Sequence, residues 1–207
     1  LAVATRAGLR GVTFDGNGRM YVLEMRSYMQ DADGSNSRAP ISRISRHEDT
    51  NGDGKADKFT VFAENLNLPT SIAFANGGII VSSAPNFLFL KDTNGDDKAD
   101  LRQILSSGWG INDTHAMASN LMYGHDNYIW GTVGYSGYNG TMNGQQMQFG
   151  QGMYRFKPDG TGFDYIAGAT NNTWGLGLSE NFDVFGSTAN ACRRRARCAG
   201  SDGTCTS

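Results

Sequence analysis

The sequence predicts an all-β fold, an incomplete β-propeller of about three to four blades. Glycine is frequent, with 28 among 207 residues, about twice the usual share, which indicates many turns. No window carries apolar residues at the spacing of an amphipathic helix, because glycine interrupts nearly every one. A strand–turn–strand pattern also recurs along the chain, as it does in repeat folds.

Each repeat of this pattern predicts a β-hairpin. Alternating apolar and small residues flank a turn of Gly, Asn or Asp, and these residue types tolerate a positive φ. The predicted hairpins lie at residues 11–22, 71–81, 120–130 and 175–185, so successive hairpins begin 60, 49 and 55 residues apart. A repeat of roughly 50 residues with four strands is typical of a propeller blade.

Further strand-like runs lie between the hairpins, at residues 58–62, 87–90 and 152–156, and the last run leads into a turn at residues 157–160. A β-sandwich is the alternative architecture, but a sandwich needs no sequence repeat. Because closed propellers have roughly four to eight blades, residues 1–190 are expected to form one incomplete propeller domain.

Two aspartate-rich segments, residues 49–57 and 92–100, are identical at eight of nine positions. They resemble the start of a calcium loop, in which side-chain oxygens at alternate positions bind the cation and a glycine at the sixth position permits the turn. Asp97 replaces that glycine in the second segment, and neither segment has the usual Glu at the twelfth position. Polar turns without metal are the alternative. The candidate metal ligands are Asp49, Asn51, Asp53, Asp57, Asp92, Asn94, Asp96 and Asp100.

The three histidines are His47, His115 and His125. Of these, His115 follows Asp113 and an irregular glycine-containing stretch, and it comes just before the third predicted hairpin. A loop that enters the innermost strand of a blade opens at the axial face of a propeller, where a histidine can act as a general base. A histidine that only hydrogen-bonds a neighbouring loop is the alternative.

Charge and motifs exclude several function classes. The net charge of -2 provides no basic field to hold nucleic acid. No apolar run approaches the roughly 18 residues of a membrane-spanning helix. The sequence has no dinucleotide fingerprint, P-loop, nucleophile elbow or zinc-protease motif, so a nicotinamide enzyme, P-loop NTPase, α/β-hydrolase or zincin is excluded for this segment.

Several motifs together resemble the planctomycete-type membrane-bound dehydrogenase propellers, which are related to the glucose/sorbosone dehydrogenases. The motifs lie at residues 20–28, 48–62, 123–126, 131–137 and 171–176, and the resemblance covers nearly all of residues 11–190. It implies a six-bladed bacterial quinoprotein that uses pyrroloquinoline quinone (PQQ) to oxidise an alcohol or aldehyde group of a sugar or polyol. It also implies export to the periplasm or cell surface, and a possible cytochrome c electron acceptor in the full-length protein.

The resemblance further implies roles for four residues. His115 is the candidate base, with Asp113 as its orienter, although His115 lies one residue further from the hairpin than in the relatives. Asn172 is the candidate cofactor contact, since it matches the Asn of an Arg-Asn segment that contacts the quinone in the relatives. Asn171 stands in place of that arginine, so Arg26 is the candidate replacement cation.

The last residues differ from the rest of the chain. Residues 191–207 hold all three cysteines and four arginines, whereas the relatives continue with more propeller. We hypothesise that a frameshift or sequencing error near Cys192 produced this tail, which is otherwise expected to be disordered. The chain is expected to be a fragment, inactive alone because its ring is incomplete. The alternative function is a non-catalytic calcium-loop propeller that binds carbohydrate or protein partners.

Overall fold

The computed structural model describes residues 8–169 and 171–189, together with the backbone of residues 193–198 and 205–206. These residues form β-strands and no helix. The first four-stranded sheet holds, in chain order, β1 (Gly8–Phe14), β2 (Met20–Met25), β3 (Ser42–Glu48) and β4 (Lys58–Leu66). The second holds β5 (Pro69–Ala75), β6 (Gly78–Ser83), β7 (Asn86–Lys91) and β8 (Leu101–Ser107).

The third sheet repeats this plan with an insertion. Its first two strands are β9 (Ser119–Tyr123) and β10 (Ile129–Val133), and a separate hairpin of β11 (Tyr138–Met142) and β12 (Gln145–Phe149) follows. The sheet then continues with β13 (Gly152–Phe156) and β14 (Asp164–Gly168). The fourth sheet holds β15 (Thr173–Leu178), β16 (Val184–Thr188), β17 (Arg193–Cys198) and β18 (Cys205–Thr206).

The predicted hairpins are confirmed as β1–β2, β5–β6, β9–β10 and β15–β16. The predicted strand runs are also confirmed, within β4, within β7 and as β13. The sequence did not predict β3, β8, β14 or the inserted hairpin β11–β12. In β8 the reason is visible, because this edge strand is mostly exposed and its polar residues give no burial pattern.

Four turns share one hydrogen-bond pattern. The carbonyl of the first residue accepts from the N–H of the fourth residue, and the N–H of the first residue donates to the carbonyl of the fifth. Three of these turns close predicted hairpins, and the other follows β13. The fourth residue has a positive φ each time, as in hairpin loops that end in a left-handed bulge residue. These fourth residues are Gly18, Asn127, Gly160 and Phe182.

The chain divides into two compact units. The first contains the described residues up to Ser83 together with Phe87–Ile104, and the second contains Ala84–Asn86 and the described residues from Leu105 onward. Aliphatic side chains and aromatic rings from β2 to β7 form the core of the first unit, around Ile44 and Leu66, which are fully buried. The second unit has a core cluster around Trp130 and Val184.

Candidate functional site

The predicted base and its orienter lie in the loop that leads into β9. The N–H of His115 donates to Oδ1 of Asp113 (2.9 Å), and Nδ1 of His115 lies 3.4 Å from the same oxygen. A carboxylate beside Nδ1 favours the tautomer that carries its proton there, which leaves Nε2 able to accept a proton. Both side chains are exposed, 57% for His115 and 44% for Asp113, so a small molecule can reach the imidazole.

Ser136, in the loop after β10, holds this turn in place. Its hydroxyl donates to the carbonyl of Asp113 (2.7 Å) and accepts from the N–H of Asp113 (3.1 Å). Its own N–H donates to the carbonyl of Ala116 (3.2 Å). Three hydrogen bonds therefore tie the loop before β9 to the loop after β10.

A third loop, which leads into β15, meets the same segment. Oδ1 of Asn172 accepts from the N–H of Tyr135 (3.3 Å), and the hydroxyl of Tyr135 donates to Oδ1 of Asn171. The same Asn171 oxygen accepts from the N–H of Asn172 (2.7 Å). Tyr135 therefore links the two asparagines to the loop that contains Ser136.

Gly134 allows these three loops to approach one another. A Cβ atom placed on Gly134 would lie 1.9 Å from Oδ1 of Asn172 and 2.9 Å from Cα of Ala116. Neither distance is compatible with a side chain, so only glycine fits at this position.

The glycine-containing stretch before Asp113 is held by the inserted hairpin. A Cβ on Gly108 would lie 2.5 Å from the carbonyl oxygen of Asn139, and a Cβ on Gly110 would lie 1.9 Å from that of Ser136. Between them, Trp109 is buried and packs against the Tyr138 and Tyr154 rings at centroid distances of 4.9 and 4.6 Å. This packing anchors the segment that carries the predicted base.

We call the convergent polar residues the loop cluster, which consists of Asp113, His115, Tyr135, Ser136, Asn171 and Asn172. Three predicted site residues therefore lie in one cluster within the second unit. Sequence reasoning did not assign roles to Tyr135, Ser136 or Gly134. The recurrent glycines of residues 131–137 were the signal that could have found them, since glycine often marks close backbone approach.

Arg26, the predicted replacement cation, lies in the first unit. It follows β2, its side chain is exposed, and its N–H donates to Oγ of Ser42 (3.1 Å). Its role as a cofactor contact stays a prediction.

The first aspartate-rich segment connects β3 to β4, and its side chains cap its own backbone. Asp49 accepts from the N–H groups of Gly52 (2.7 Å) and Gly54 (2.7 Å) and, at 3.2 Å, from that of Asp53. The bond from Gly54 is the largest cause that holds the pKa of Asp49 below its usual value. Asn51 and Asp53 cap the following residues in the same way, and Asp57 accepts from Thr50.

The second aspartate-rich segment connects β7 to β8 and repeats this network. Asp92 accepts from three backbone N–H groups, as Asp49 does. Asn94 and Asp96 each cap the residue two positions on, and Asp100 accepts from the N–H of Thr93 (2.7 Å). The repeat in sequence is therefore a repeat of one hydrogen-bonded loop.

Asp97, which stands where the first segment has Gly54, has partners outside its own loop. Oδ2 of Asp97 lies 2.5 Å from Nη2 of Arg46 and 2.6 Å from Nζ of Lys58. Arg46 is in β3 and Lys58 begins β4, so this carboxylate joins the second sheet to the first. The hydrogen bond from Arg46, followed by that from Lys58, lowers the pKa of Asp97 to about 2.

Metal binding by the two segments finds no support in the side-chain arrangement. No group of three or more His, Cys, Asp or Glu in the described part of the chain is placed to hold a metal ion. The hydrogen-bonded geometry matches the polar-turn alternative, because the aspartates already accept backbone N–H bonds. Calcium binding stays a prediction.

Solved structures of β-propellers resemble this chain in fold. A PQQ-bound aldose sugar dehydrogenase from Streptomyces coelicolor is 14% identical, with a TM-score of 0.60 over 91% of this chain and 59% of that chain. A gluconolactonase from Xanthomonas campestris is also 14% identical, with a TM-score of 0.59 over 91% of this chain and 58% of its own. A nidogen/laminin complex is 13% identical, with a TM-score of 0.61 over 89% and 58%.

These likenesses confirm the predicted fold class, a partial β-propeller. The chain spans less than two thirds of the length of each of these structures. No helix in the described residues has the length and apolar character needed to cross a membrane.

Sequence comparisons give the family. No curated protein matches the sequence significantly. A family profile described as a domain of unknown function (DUF7133) matches residues 11–202, which is most of the chain. The chain belongs to the DUF7133 family.

Proposed function

We propose that the chain is part of a quinoprotein-like dehydrogenase that oxidises an alcohol or aldehyde group of a sugar or polyol. The loop cluster is the observation that carries this proposal. It places an accessible histidine beside a carboxylate, and the adjacent residues Ser136 and Tyr135 link this turn to two asparagines. The fold supports it, since an aldose sugar dehydrogenase is among the similar structures.

In this proposal His115 is the general base. Nε2 accepts the proton of a substrate hydroxyl while the electron pair of the adjacent carbon–hydrogen bond leaves as hydride to a two-electron acceptor. Asp113, 3.4 Å from Nδ1, stabilises the imidazolium that forms. Ser136 holds the backbone of Asp113 in place through its two hydrogen bonds.

PQQ is the proposed acceptor, and a bound quinone would supply the site that receives the hydride. The amides of Asn171 and Asn172 suit the carbonyl groups of a quinone. The carboxylates of PQQ need cations, and the loop cluster as described contains no Arg or Lys side chain. The residues therefore fit PQQ only in part, and the role given to His115 depends on a two-electron acceptor rather than on PQQ itself.

Dye-coupled oxidation tests the enzyme proposal. The complete gene product is incubated with PQQ and calcium, and dye reduction is measured on a panel of aldoses and polyols. We expect turnover, and we expect His115→Ala to lower kcat by about 10²- to 10⁴-fold, as loss of a general base does. His125→Ala is the matched control, because His125 is an exposed histidine in the β9–β10 turn. The absence of both a spectral change and turnover would eliminate the enzyme proposal.

A second candidate function is binding without catalysis. A nidogen/laminin complex is among the similar structures, so a chain of this fold also occurs in a protein–protein complex. A gene product that binds carbohydrate or protein but shows no turnover with any acceptor would support it.

Three finer features complete the proposal. Calcium in the aspartate-rich segments comes from their likeness to calcium loops, and export to the periplasm or cell surface and a cytochrome c electron acceptor come from the family resemblance. Calcium is the easiest to measure: the midpoint of thermal unfolding is expected to rise on calcium titration and to rise less in Asp49→Asn, which leaves the second segment intact. An unchanged midpoint in the unsubstituted chain would contradict calcium binding.

A further inference from the structure

A cavity of about 430 Å³ lies within the first unit, away from every residue assigned a role above except Asp92. Its rim is formed by two hairpin turns, that of β1–β2 and that of β5–β6. The volume falls in the range of roughly 300 to 1,000 Å³ that is typical of small-molecule pockets. We call it the hairpin cavity.

The inner wall of the hairpin cavity is aromatic. Tyr21 and Phe62 are buried and Phe74 is partly buried. The ring of Tyr21 meets the other two edge to face, at centroid distances of 5.3 Å to Phe62 and 5.2 Å to Phe74. Of the three rings, Phe74 keeps the most exposed surface, so it offers apolar contact to the carbon face of a ligand.

The charged groups around the cavity are paired. Nε of Arg19 donates to Oδ2 of Asp15 (2.6 Å). Arg46, of which 4% is exposed, pairs with Asp97. Asp92 turns its carboxylate toward three backbone N–H groups of its own loop. A ligand with a net charge would therefore have to break an existing pair, whereas a neutral ligand would not.

Hydrogen-bond donors remain at the rim. Arg19 uses only Nε in its bond to Asp15, and its two Nη atoms have no partner among the described residues. The rim is also held in place without a ligand, because Asp15 accepts from the N–H groups of Asn17 and Arg19. On the other side of the rim, Asn76 and Gly77 have positive φ, as an Asn-Gly hairpin turn requires. A preformed pocket avoids the cost of ordering on binding.

We propose that the hairpin cavity binds a neutral polyhydroxylated ring, such as a monosaccharide. The aromatic wall contacts the carbon face of the ring, and the Nη groups of Arg19 donate to its hydroxyl oxygens. This is a second sugar site, separate from the loop cluster, and it requires neither PQQ nor turnover.

Gly16 gives a clean way to block the cavity. It lies on the rim, its φ is not positive, and a Cβ placed there would meet no atom within 4 Å. Gly16→Phe therefore adds a large side chain at the rim without straining the backbone. Gly150→Phe is the matched control, because Gly150 has the same open surroundings and lies in the second unit.

Ligand-observed NMR with D-glucose, in the absence of PQQ, tests the proposal on the full chain. We expect binding that Gly16→Phe weakens about tenfold or more and that Gly150→Phe leaves unchanged. Thermal unfolding confirms that each variant is folded. Gluconate serves as an anionic probe of similar size and is expected to bind more weakly than glucose.

Three results would overturn the proposal: no binding of glucose, binding that Gly16→Phe weakens no more than Gly150→Phe does, or tighter binding of gluconate that Gly16→Phe abolishes. The last result would identify an anion site instead. Failure of dye reduction has no bearing on any of them, so the two sites are tested separately.

Discussion

At the residue scale, Asp97 shows how a departure from a repeat acquires its own role. The first aspartate-rich segment has Gly54 at this position, and both residues have a positive φ. Glycine adopts that conformation freely, and Asp tolerates it better than most residues do. In return, Asp97 forms ion pairs with Arg46 and Lys58, which connect two sheets of the first unit.

Asp97→Asn is expected to destabilise the protein by about 1 kcal/mol, because it leaves the charge of the mostly buried Arg46 with a weaker partner. The effect should depend on pH. The folded pKa of Asp97, about 2, lies below its usual 3.8, so its stabilisation is complete above pH ~4 and is lost as the pH falls toward 2.

Chemical unfolding at pH 7 and at pH 2 to 3 measures this difference. Asp96→Asn is the control, because it removes the same charge from a residue that caps only its own loop. An equal loss of stability at both pH values would show that the carboxylate charge is not responsible.

Gly134 allows a second prediction at this scale. Gly134→Ala is expected to cost about 1 to 3 kcal/mol, as overpacking does, because the new methyl group would overlap Oδ1 of Asn172. Gly177→Ala, where a Cβ meets nothing within 4 Å, is the control. Thermal unfolding measures the cost. Equal stability of the two variants would contradict the close approach of the three loops.

At the element scale, the shared hairpin turn requires a positive φ at its fourth residue, and Gly18 and Gly160 meet that requirement in two of the four turns. Gly18 has φ of 78° and no neighbour that a Cβ would touch, so its only constraint is the backbone. Gly18→Ala is therefore expected to lose about 1 to 2 kcal/mol, while Gly16→Ala in the same turn changes little. Urea unfolding of the two variants compares them. A neutral Gly18→Ala would mean that the turn adopts another conformation.

The aspartate-rich segments are the second repeated element. Their sequence alone left calcium loops and polar turns as alternatives. The structure shows why composition could not decide: Asp and Asn oxygens that accept backbone N–H bonds are the same residue types that ligate a cation. Sequence predicts such a loop but not what its oxygens bind.

At the scale of the whole molecule, the frameshift that we hypothesise for the tail, residues 191–207, is still to be tested. The family match extends to residue 202, and the backbone of β17 pairs with β16. Apart from the backbone of β17 and β18, residues 190–207 lie outside the described residues. An independent read of the coding DNA is expected to reveal a shifted frame near Cys192. An uninterrupted frame through Ser207 would refute the frameshift.

The sequence by itself determined the hairpins and their turns, because each depends on neighbours a few residues apart: a residue with positive φ in the turn and apolar side chains on either side. It determined the fold class because this hairpin recurs every 49 to 60 residues. Only the tertiary structure decided which loops meet. Asp113, Tyr135 and Asn172 are far apart in the chain, and their contact depends on close backbone approach at Gly134. The pair of Arg46 with Asp97 likewise joins two sheets. Such contacts depend on how sheets and loops pack against one another, and local sequence patterns do not determine that packing.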